Sequence, residues 1–306
     1  MITRYKHNNV TWVDLESPTS EEVRQVMEEY SIHPSIAEEL LLPTIKPRVE
    51  LYEDAMIYLI LHFPAFKHTH NSSRKNQEVD FIIGKDFLIT TRYDTIDPLH
   101  KFAKVFEVNS ILDKEDIGEH AGYVFFYMIT KLYRAIGHEL EYVQSALEEI
   151  EKQIFNGKER EMVLEISKIS RELLNFKQAL VLHHNVLDSF EKVARDFFGN
   201  DFVHQLRSIL GEYYRVQNDV TTNLDFMAEL RETNNSLITT KQNEIMKTLT
   251  IMAFVTFPLS LFASIFGMNT KTLPLTGFVG DFWLIIGIMM CATLFFFAFF
   301  KYKRWL

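Results

Sequence analysis

The sequence is poor in cysteine and in the short motifs that mark enzymes. Its 306 residues include one cysteine, Cys291, so the chain cannot form an internal disulfide. We find no glycine-rich phosphate loop, no His-Glu-x-x-His motif, no nucleophile elbow and no cysteine pair for zinc. We therefore expect a protein that is not an enzyme and that carries no resident cofactor.

Acidic side chains outnumber basic ones in most of the chain. The formal net charge is -9, yet residues 241–306 contain six basic side chains against two acidic ones, so the acidic excess lies in the first 240 residues. Such a surface argues against nucleic acid as a partner. It attracts cations, although the same charges also serve solubility. The N-terminal sequence MITRYKHNNVTW has neither the apolar stretch of a secretory signal nor the composition of a transit peptide.

Two uncharged runs near the C-terminus are long enough to cross a bilayer. Residues 249–268 and 282–300 contain no charged side chain, and about 20 apolar residues span the hydrocarbon core as a helix. Lys241 and Lys247 precede the first run, and a basic tail at 301–306 follows the second. This charge bias predicts a multi-pass protein of the cell membrane with both termini in the cytoplasm.

The first run has one face of mostly small or polar side chains, which we call the seam. Steps of three and four residues give its members as Asn243, Met246, Thr250, Ala253, Phe257, Ser260, Ser264 and Gly267. Such a face either allows close packing of helices or lines a wet path. The residues alone do not choose between these roles.

The C-terminal layout resembles the CorA-type magnesium transporter family. The resemblance is carried by Gly267-Met268-Asn269 at the outer end of the first run, a short return loop and a second apolar run with a basic tail. Further upstream, Lys46-Pro47-Arg48-Val49-Glu50 and the hairpin VDFIIGKDFLITT (79–91) also resemble the cytoplasmic domain of this family.

The resemblance implies an α+β membrane protein that assembles as a homopentameric channel. Its expected parts are a cytoplasmic α/β domain (1–116), a helical stalk (117–242), the stalk end with the pore-lining first transmembrane helix (243–269), an external loop (270–281), a lipid-facing second transmembrane helix (282–300) and a basic cytoplasmic tail (301–306). The expected partners are other copies of this chain, membrane lipid and divalent cations. A continuous helix over 201–268 would be about 100 Å long and would couple the cytoplasmic domain to the pore.

The resemblance also implies roles for single residues. Gly267, Met268 and Asn269 form the ion selectivity motif, and the Asn269 carbonyl is the expected ligand of a hydrated metal ion, since Mg²⁺ keeps several of its waters. Pore-lining or gating roles fall to Asn243, Met246, Leu249, Thr250, Ala253, Phe257, Ser260 and Ser264. Two alternatives stay open: Asn269 also suits a helix C-cap, and Phe257 next to Pro258 also suits packing at a tolerated kink.

Three departures from the family pattern leave the transported ion open. Phe266 stands where many members carry tyrosine, Leu275 rather than an acidic residue follows Pro274, and residues 202–208 lack the acidic pair associated with regulation. We expect uptake of Mg²⁺, and also of Co²⁺ or Ni²⁺, driven by the membrane potential. The alternatives are a Zn²⁺ transporter of the same architecture, possibly coupled to protons, and a membrane-tethered signalling or scaffold module without a pore.

The remaining patterns predict secondary structure. Strands are expected at 10–15, 55–63, 78–83 and 87–92, and helices at 21–30 and from about 121 to 155. A second amphipathic helix should continue through Leu180 to a break at 197–200, followed by the long helix at 201–268. The histidines at 68, 70, 183, 184 and 204 are weak candidates for metal ligands. His183 and His184 face different directions on a helix, so shared chelation is not expected.

Overall fold

The computed structural model describes residues 1–7, 9–52, 55–65, 76–94, 96–112, 118–268, 275, 277 and 280–303. They form two compact units, 1–231 and 232–306. The first unit combines a sheet with helices, and the second unit is helical.

A six-stranded sheet lies at the centre of the first unit. Its strands are β1 (Ile2–His7), β2 (Val10–Glu16), β3 (Arg48–Tyr52), β4 (Met56–Pro64), β5 (Asn76–Ile83) and β6 (Phe87–Arg92). They lie in the order β1-β2-β6-β5-β4-β3, and all neighbours are antiparallel except the parallel pair β2 and β6. The predicted strands are confirmed as β2, β4, β5 and β6, and the turn at 84–86 connects β5 to β6.

The two edge strands were not predicted. β1 alternates charged Arg4 and Lys6 with other side chains, and β3 is only five residues long and partly exposed. The stretch Lys46-Pro47-Arg48-Val49-Glu50, which resembles the cytoplasmic domain of the CorA-type family, contains the start of β3 at Arg48. Edge strands expose one side to solvent, so they lack the apolar run by which β4 is recognised.

The described helices are α1 (Ser20–Tyr30), α2 (Pro34–Glu39), α3 (Asp97–Leu112), α4 (Ala121–Phe155), α5 (Glu159–Leu180), α6 (His183–Phe198), α7 (Val203–Phe266) and α8 (Asp281–Tyr302). Helix α1 begins at a capping box, in which the Glu22 amide donates to Thr19 Oγ1 and the Thr19 amide donates to Glu22 Oε2. Residues of α1 and α2, among them Val26 and Ile36, pack on one face of the sheet.

Aromatic side chains cover the other face of the sheet. Trp12 on β2 contacts Phe102 and Phe106 of α3, and Phe81 on β5 contacts Phe125 of α4 edge to face. The helical hairpin of α4 and α5 is thus anchored on the sheet through the first turns of α4.

One helix prediction is wrong: the segment from about 159 to 198 forms two helices. Helix α5 ends at Leu180 and α6 begins at His183, although Val181 and Leu182 keep nearly helical backbone angles. The fully buried His183 ring explains the break, because Nε2 lies 3.0 Å from the His62 carbonyl oxygen and Nδ1 lies 2.9 Å from Tyr133 Oη. These tertiary contacts fix α6 to β4 and α4, and the sequence has no helix-breaking residue there.

The long helix predicted at 201–268 is confirmed as α7, which runs without interruption for 64 residues and includes Gly211 and Pro258. Asn200–Phe202 precedes it as one 3-10 turn. The second predicted span is confirmed as α8, with 22 residues. Of the weak histidine candidates, His68 and His70 lie outside the described residues. His183 is buried, His184 is half-buried and His204 is exposed.

Candidate functional site on α7

Two helices are long and apolar enough to cross a membrane. They are the C-terminal part of α7 and the whole of α8, and the apolar window of each is almost entirely exposed in the single chain. Both helices meet this criterion by their length and composition. Exposed apolar surface of this extent is expected where lipid or other protein chains provide the surroundings.

Helix α8 packs against one face of α7. Ile251 and Val255 of α7 are buried with Phe300 of α8, and Leu259 and Phe296 extend the same cluster. The α7 members are spaced by four residues, which places them along one stripe of the helix. Contact between α7 and α8 therefore uses a purely apolar stripe.

The seam lies on the opposite face of α7. With 3.6 residues per turn, each residue advances about 100°, and the seam positions centre about half a turn away from Ile251, Val255 and Leu259. Of the seam, Met246 is 61% exposed and Phe257 73%, and Leu249, which lies beside the seam, is 55% exposed. All other seam residues are also exposed except Ala253, which is half-buried. Nothing in the described part of the chain covers this face.

Local hydrogen bonds determine what the seam presents. Thr250 Oγ1 donates to the Met246 carbonyl oxygen at 2.8 Å, so its proton is used within the helix while the oxygen lone pairs still face outward. Pro258 has no amide hydrogen, so the Phe254 carbonyl loses its helical partner. The helix can bend at this point, directly after Phe257.

Helix α7 ends at the residues singled out by the sequence. The Gly267 amide donates to the Ala263 carbonyl at 2.9 Å, and the Met268 amide donates to the Ile265 carbonyl at 3.3 Å. A β-carbon added at Gly267 would lie 3.3 Å from the Ala263 oxygen, closer than ordinary contact. Gly267 and Met268 are exposed. Asn269, the predicted ion ligand, lies outside the described residues, as do Pro274 and most of the return loop.

No alternative metal centre competes with this face within the described residues. Among them, no group of three or more His, Cys, Asp or Glu side chains has an arrangement suited to a metal ion. Sequence reasoning placed the seam residues on one face, and the structure brings them together along α7. It missed a groove between α7 and α8, because that groove depends on how the two helices pack.

An α/β domain followed by two membrane-length helices, the first with an uncovered polar face, defines a membrane protein. A sequence model described as CorA-like Mg²⁺ transporter protein matches residues 7–304. Since the match covers nearly the whole chain, the protein belongs to this family of membrane transporters.

Individual relatives agree with this assignment. The cobalt/magnesium transport protein CorA of Thermotoga maritima is 23% identical over 300 residues, covering 97% of this chain and 83% of the relative. The complete structure of the CorA magnesium transporter from Methanocaldococcus jannaschii has a TM-score of 0.85 and 21% identity, covering 99% of this chain and 93% of that chain. The cytoplasmic domain of ZntB from Vibrio parahaemolyticus gives a TM-score of 0.61 at 14% identity, covering 76% and 88%. These structural likenesses establish the fold.

Proposed function

We propose that this protein takes up divalent cations, with Mg²⁺ as the main cargo and Co²⁺ or Ni²⁺ as further ones. Membership of a Mg²⁺ transporter family supports the cargo class. The observation that carries the mechanism is the exposed seam of α7, which lies opposite the stripe covered by α8. If the seam only packed against another helix of the same chain, that helix would have to cover it. Helix α8 covers the opposite side of α7, so the chain itself leaves the seam open.

One chain cannot enclose an aqueous path with two helices. A pore requires several copies, each contributing one α7 to a ring with a shared axis. We propose a homopentamer in which the seams face the axis and α8 lies outside. In this arrangement Cys291 faces lipid, because it lies about half a turn from Phe300 and Phe296, the side of α8 that contacts α7.

The entrance is proposed at the end of α7. Neutral oxygens suit a hydrated Mg²⁺ ion, because this ion gives up its waters reluctantly and too strong a site would not release it. Asn269 follows directly on Met268 and would offer its side-chain carbonyl. The last turn of α7 adds main-chain carbonyl oxygens. As in every α-helix, the last carbonyl oxygens have no amide of a following helical turn to bind.

The gate is proposed at large apolar side chains on the seam and directly beside it. Met246 and Leu249 lie near one end of the span, and Phe257 lies deeper among small residues. Several copies of each side chain around one axis would form dry constrictions, which stop ions by dewetting. A bend at Pro258 would move the Phe257 ring away from the axis.

The membrane potential is sufficient to drive uptake. A single charge gains about 2.3 kcal/mol per 100 mV, so a dication gains roughly twice that amount. The inside-negative potential gives the inward direction. The basic residues at 241, 247, 301 and 303 mark the inner side, so we place the protein in the cell membrane with both termini in the cytoplasm.

Flux into liposomes tests this proposal. Purified protein is reconstituted, and uptake of Mg²⁺, Co²⁺, Ni²⁺ and Zn²⁺ is compared at a fixed inside-negative potential. We expect Mg²⁺ flux from the wild type, and its loss in Asn269→Ala with assembly unchanged. Asn235→Ala is the matched control, because Asn235 is an exposed asparagine of α7 that lies before the membrane segment.

The other outcomes each favour a different function. If Zn²⁺ flux exceeds Mg²⁺ flux and depends on a proton gradient, then Zn²⁺ and not Mg²⁺ is the main cargo. Wild-type flux in an assembled Asn269→Ala variant would assign Asn269 to a helix cap. Absence of flux for all four ions, from a well-folded pentamer, would favour the tethered signalling or scaffold module.

A further inference from the structure

A groove lies between α7 and α8 at the end of the span that carries the lysines. It has a volume of about 550 Å³, within the range of roughly 300–1,000 Å³ that is typical of ligand sites. Its lining is Glu244, Lys247, Thr248, Ile251, Met252, Val255, Thr256 and Phe297. None of these residues belongs to the seam, so the groove is separate from the proposed ion path.

The groove is polar at one end and apolar along the rest of its length. Lys247 stands at its mouth, two residues before the uncharged run, and nine residues separate it from Thr256. Nine residues of α-helix advance about 13 Å along the axis. The groove therefore reaches from the depth of lipid headgroups into the depth of the acyl chains.

The hydroxyl groups in the lining do not make the deeper part polar. Thr248 Oγ1 donates to the Glu244 carbonyl oxygen at 3.0 Å, and Thr256 Oγ1 donates to the Met252 carbonyl oxygen at 2.9 Å. With these donors used inside the helix, the walls are formed by the apolar parts of Met252, Val255 and Phe297.

The mouth is basic on balance. Lys301 follows Phe297 by one helical turn and Lys303 lies two residues further on, against Glu244 as the single acidic side chain in the described stretches 241–256 and 297–303. A basic mouth above an apolar groove is complementary to a negatively charged headgroup with its chain.

We propose that this groove holds one anionic phospholipid per subunit, with the phosphate at Lys247 and the upper acyl chain along Met252, Val255 and Phe297. A second copy of the chain is a poorer occupant. In a ring whose axis is normal to the membrane, the neighbour presents its own Lys247 at the same depth, so like charges would meet at the mouth. The proposal rests on membrane insertion and not on ion transport.

Native mass spectrometry of the detergent-solubilised full-length protein tests the site. The probes are phosphatidylglycerol and phosphatidylcholine with identical acyl chains, each added to the delipidated protein. We expect the wild type to retain phosphatidylglycerol in preference to phosphatidylcholine, up to one molecule per subunit. Lys247→Gln should weaken phosphatidylglycerol retention about fivefold, the equivalent of about 1 kcal/mol for one lysine near an anionic surface.

Two further variants keep the test decisive. Lys241→Gln removes the same charge outside the groove and should leave retention near the wild-type value. Thr256→Trp fills the apolar part and should reduce retention of both lipids without changing the mass of the assembly. An equal loss in Lys241→Gln and Lys247→Gln would overturn the site in favour of diffuse surface charge. Unchanged retention in Thr256→Trp, or a subunit-to-subunit crosslink from Met252→Cys, would also overturn it.

Discussion

The two units of this protein bury their apolar side chains to very different extents. In residues 1–231, the largest aromatic side chains are fully enclosed, among them Trp12, Tyr58, Phe125 and Phe190. Among the described residues after 231, the buried apolar side chains are Ile251, Val255 and Phe300. The first unit thus completes its own core. The second has apolar surface that only lipid and other chains can cover.

The largest expected effect comes from removing the part of the second unit that needs lipid or other chains to cover its apolar surface. A chain that ends after residue 242 should stay folded and soluble without detergent, because it keeps the sheet, α1 to α6 and the packed part of α7. The full-length chain should precipitate under the same conditions. Circular dichroism and size-exclusion chromatography measure both. Aggregation of the shortened chain in its native buffer would show that the first unit also depends on the second for its stability.

The second prediction concerns which apolar faces meet other copies. In a Cys291→Ser background, Met246→Cys should form disulfides between chains in membranes, because the proposed pentamer brings the seams together on one axis. The natural Cys291 should crosslink little, since it lies on the side of α8 away from α7. Non-reducing electrophoresis gives the yields. Strong crosslinking from Cys291 with none from Met246→Cys would mean that α8, and not α7, lines the axis.

A third and smaller effect tests the role of Phe257. Phe257→Ala should raise ion leak several-fold under conditions that close the wild type, because it would widen the proposed dry constriction. Phe262→Ala is the matched control, since Phe262 lies near the α8 side of the same helix and its ring contacts that of Phe266 at a tilted angle. Proteoliposome leak is the measurement. A leak equal to that of the wild type, with assembly intact, would assign the gate to Met246 and Leu249 alone.

The fourth prediction concerns the first unit alone. Complete burial lowers the pKa of His183 to about 4, whereas a histidine in an unfolded chain titrates near 6.5. Between these values the unfolded chain binds a proton that the folded chain refuses. Stability is therefore full above pH 6.5 and falls as the pH drops towards 4, by up to about 3 kcal/mol for this group.

Chemical unfolding at pH 7 and pH 4.5 checks this effect. His183→Gln keeps a hydrogen-bonding side chain without a titrating ring, so its stability should depend less on pH than that of the wild type. His204→Gln, at an exposed position, should behave like the wild type. Identical pH slopes for the wild type and His183→Gln would show that the buried ring does not govern acid stability.

The sequence predicted the parts of the fold that depend on periodicity. Helices α4 and α7 and strands β4 and β5 follow from regular apolar spacing, and the face of the seam followed from helical steps. The position of α8 opposite that face did not, because α8 is apolar nearly all round and the membrane part of α7 has several apolar stripes beside the seam. Which stripe of α7 meets α8 is decided by side-chain packing. The roles of the seam residues and of Asn269 remain predictions.

Buried polar groups are a second feature that the sequence did not predict. Asp80 is fully buried on β5, where burial, followed by the neighbouring Glu78 carboxylate, raises its pKa well above the usual range. Glu78 accepts hydrogen bonds from the Thr44 amide and lies 3.0 Å from His62 Nε2. In the sequence, Glu78 and Asp80 look like the solvent side of an alternating strand. Only the tertiary structure shows that the loop after α2 covers that side.

The edge strand β3 has a consequence for association between copies. An open edge offers unpaired backbone groups to any strand that comes close, and tethering identical chains in one membrane plane raises their local concentration. Here the edge is only five residues long, and Arg48 contacts the carboxylates of Glu39 and Glu50. Another strand could pair here only by displacing these charges. This edge of the sheet is thereby protected from pairing with a strand of another chain.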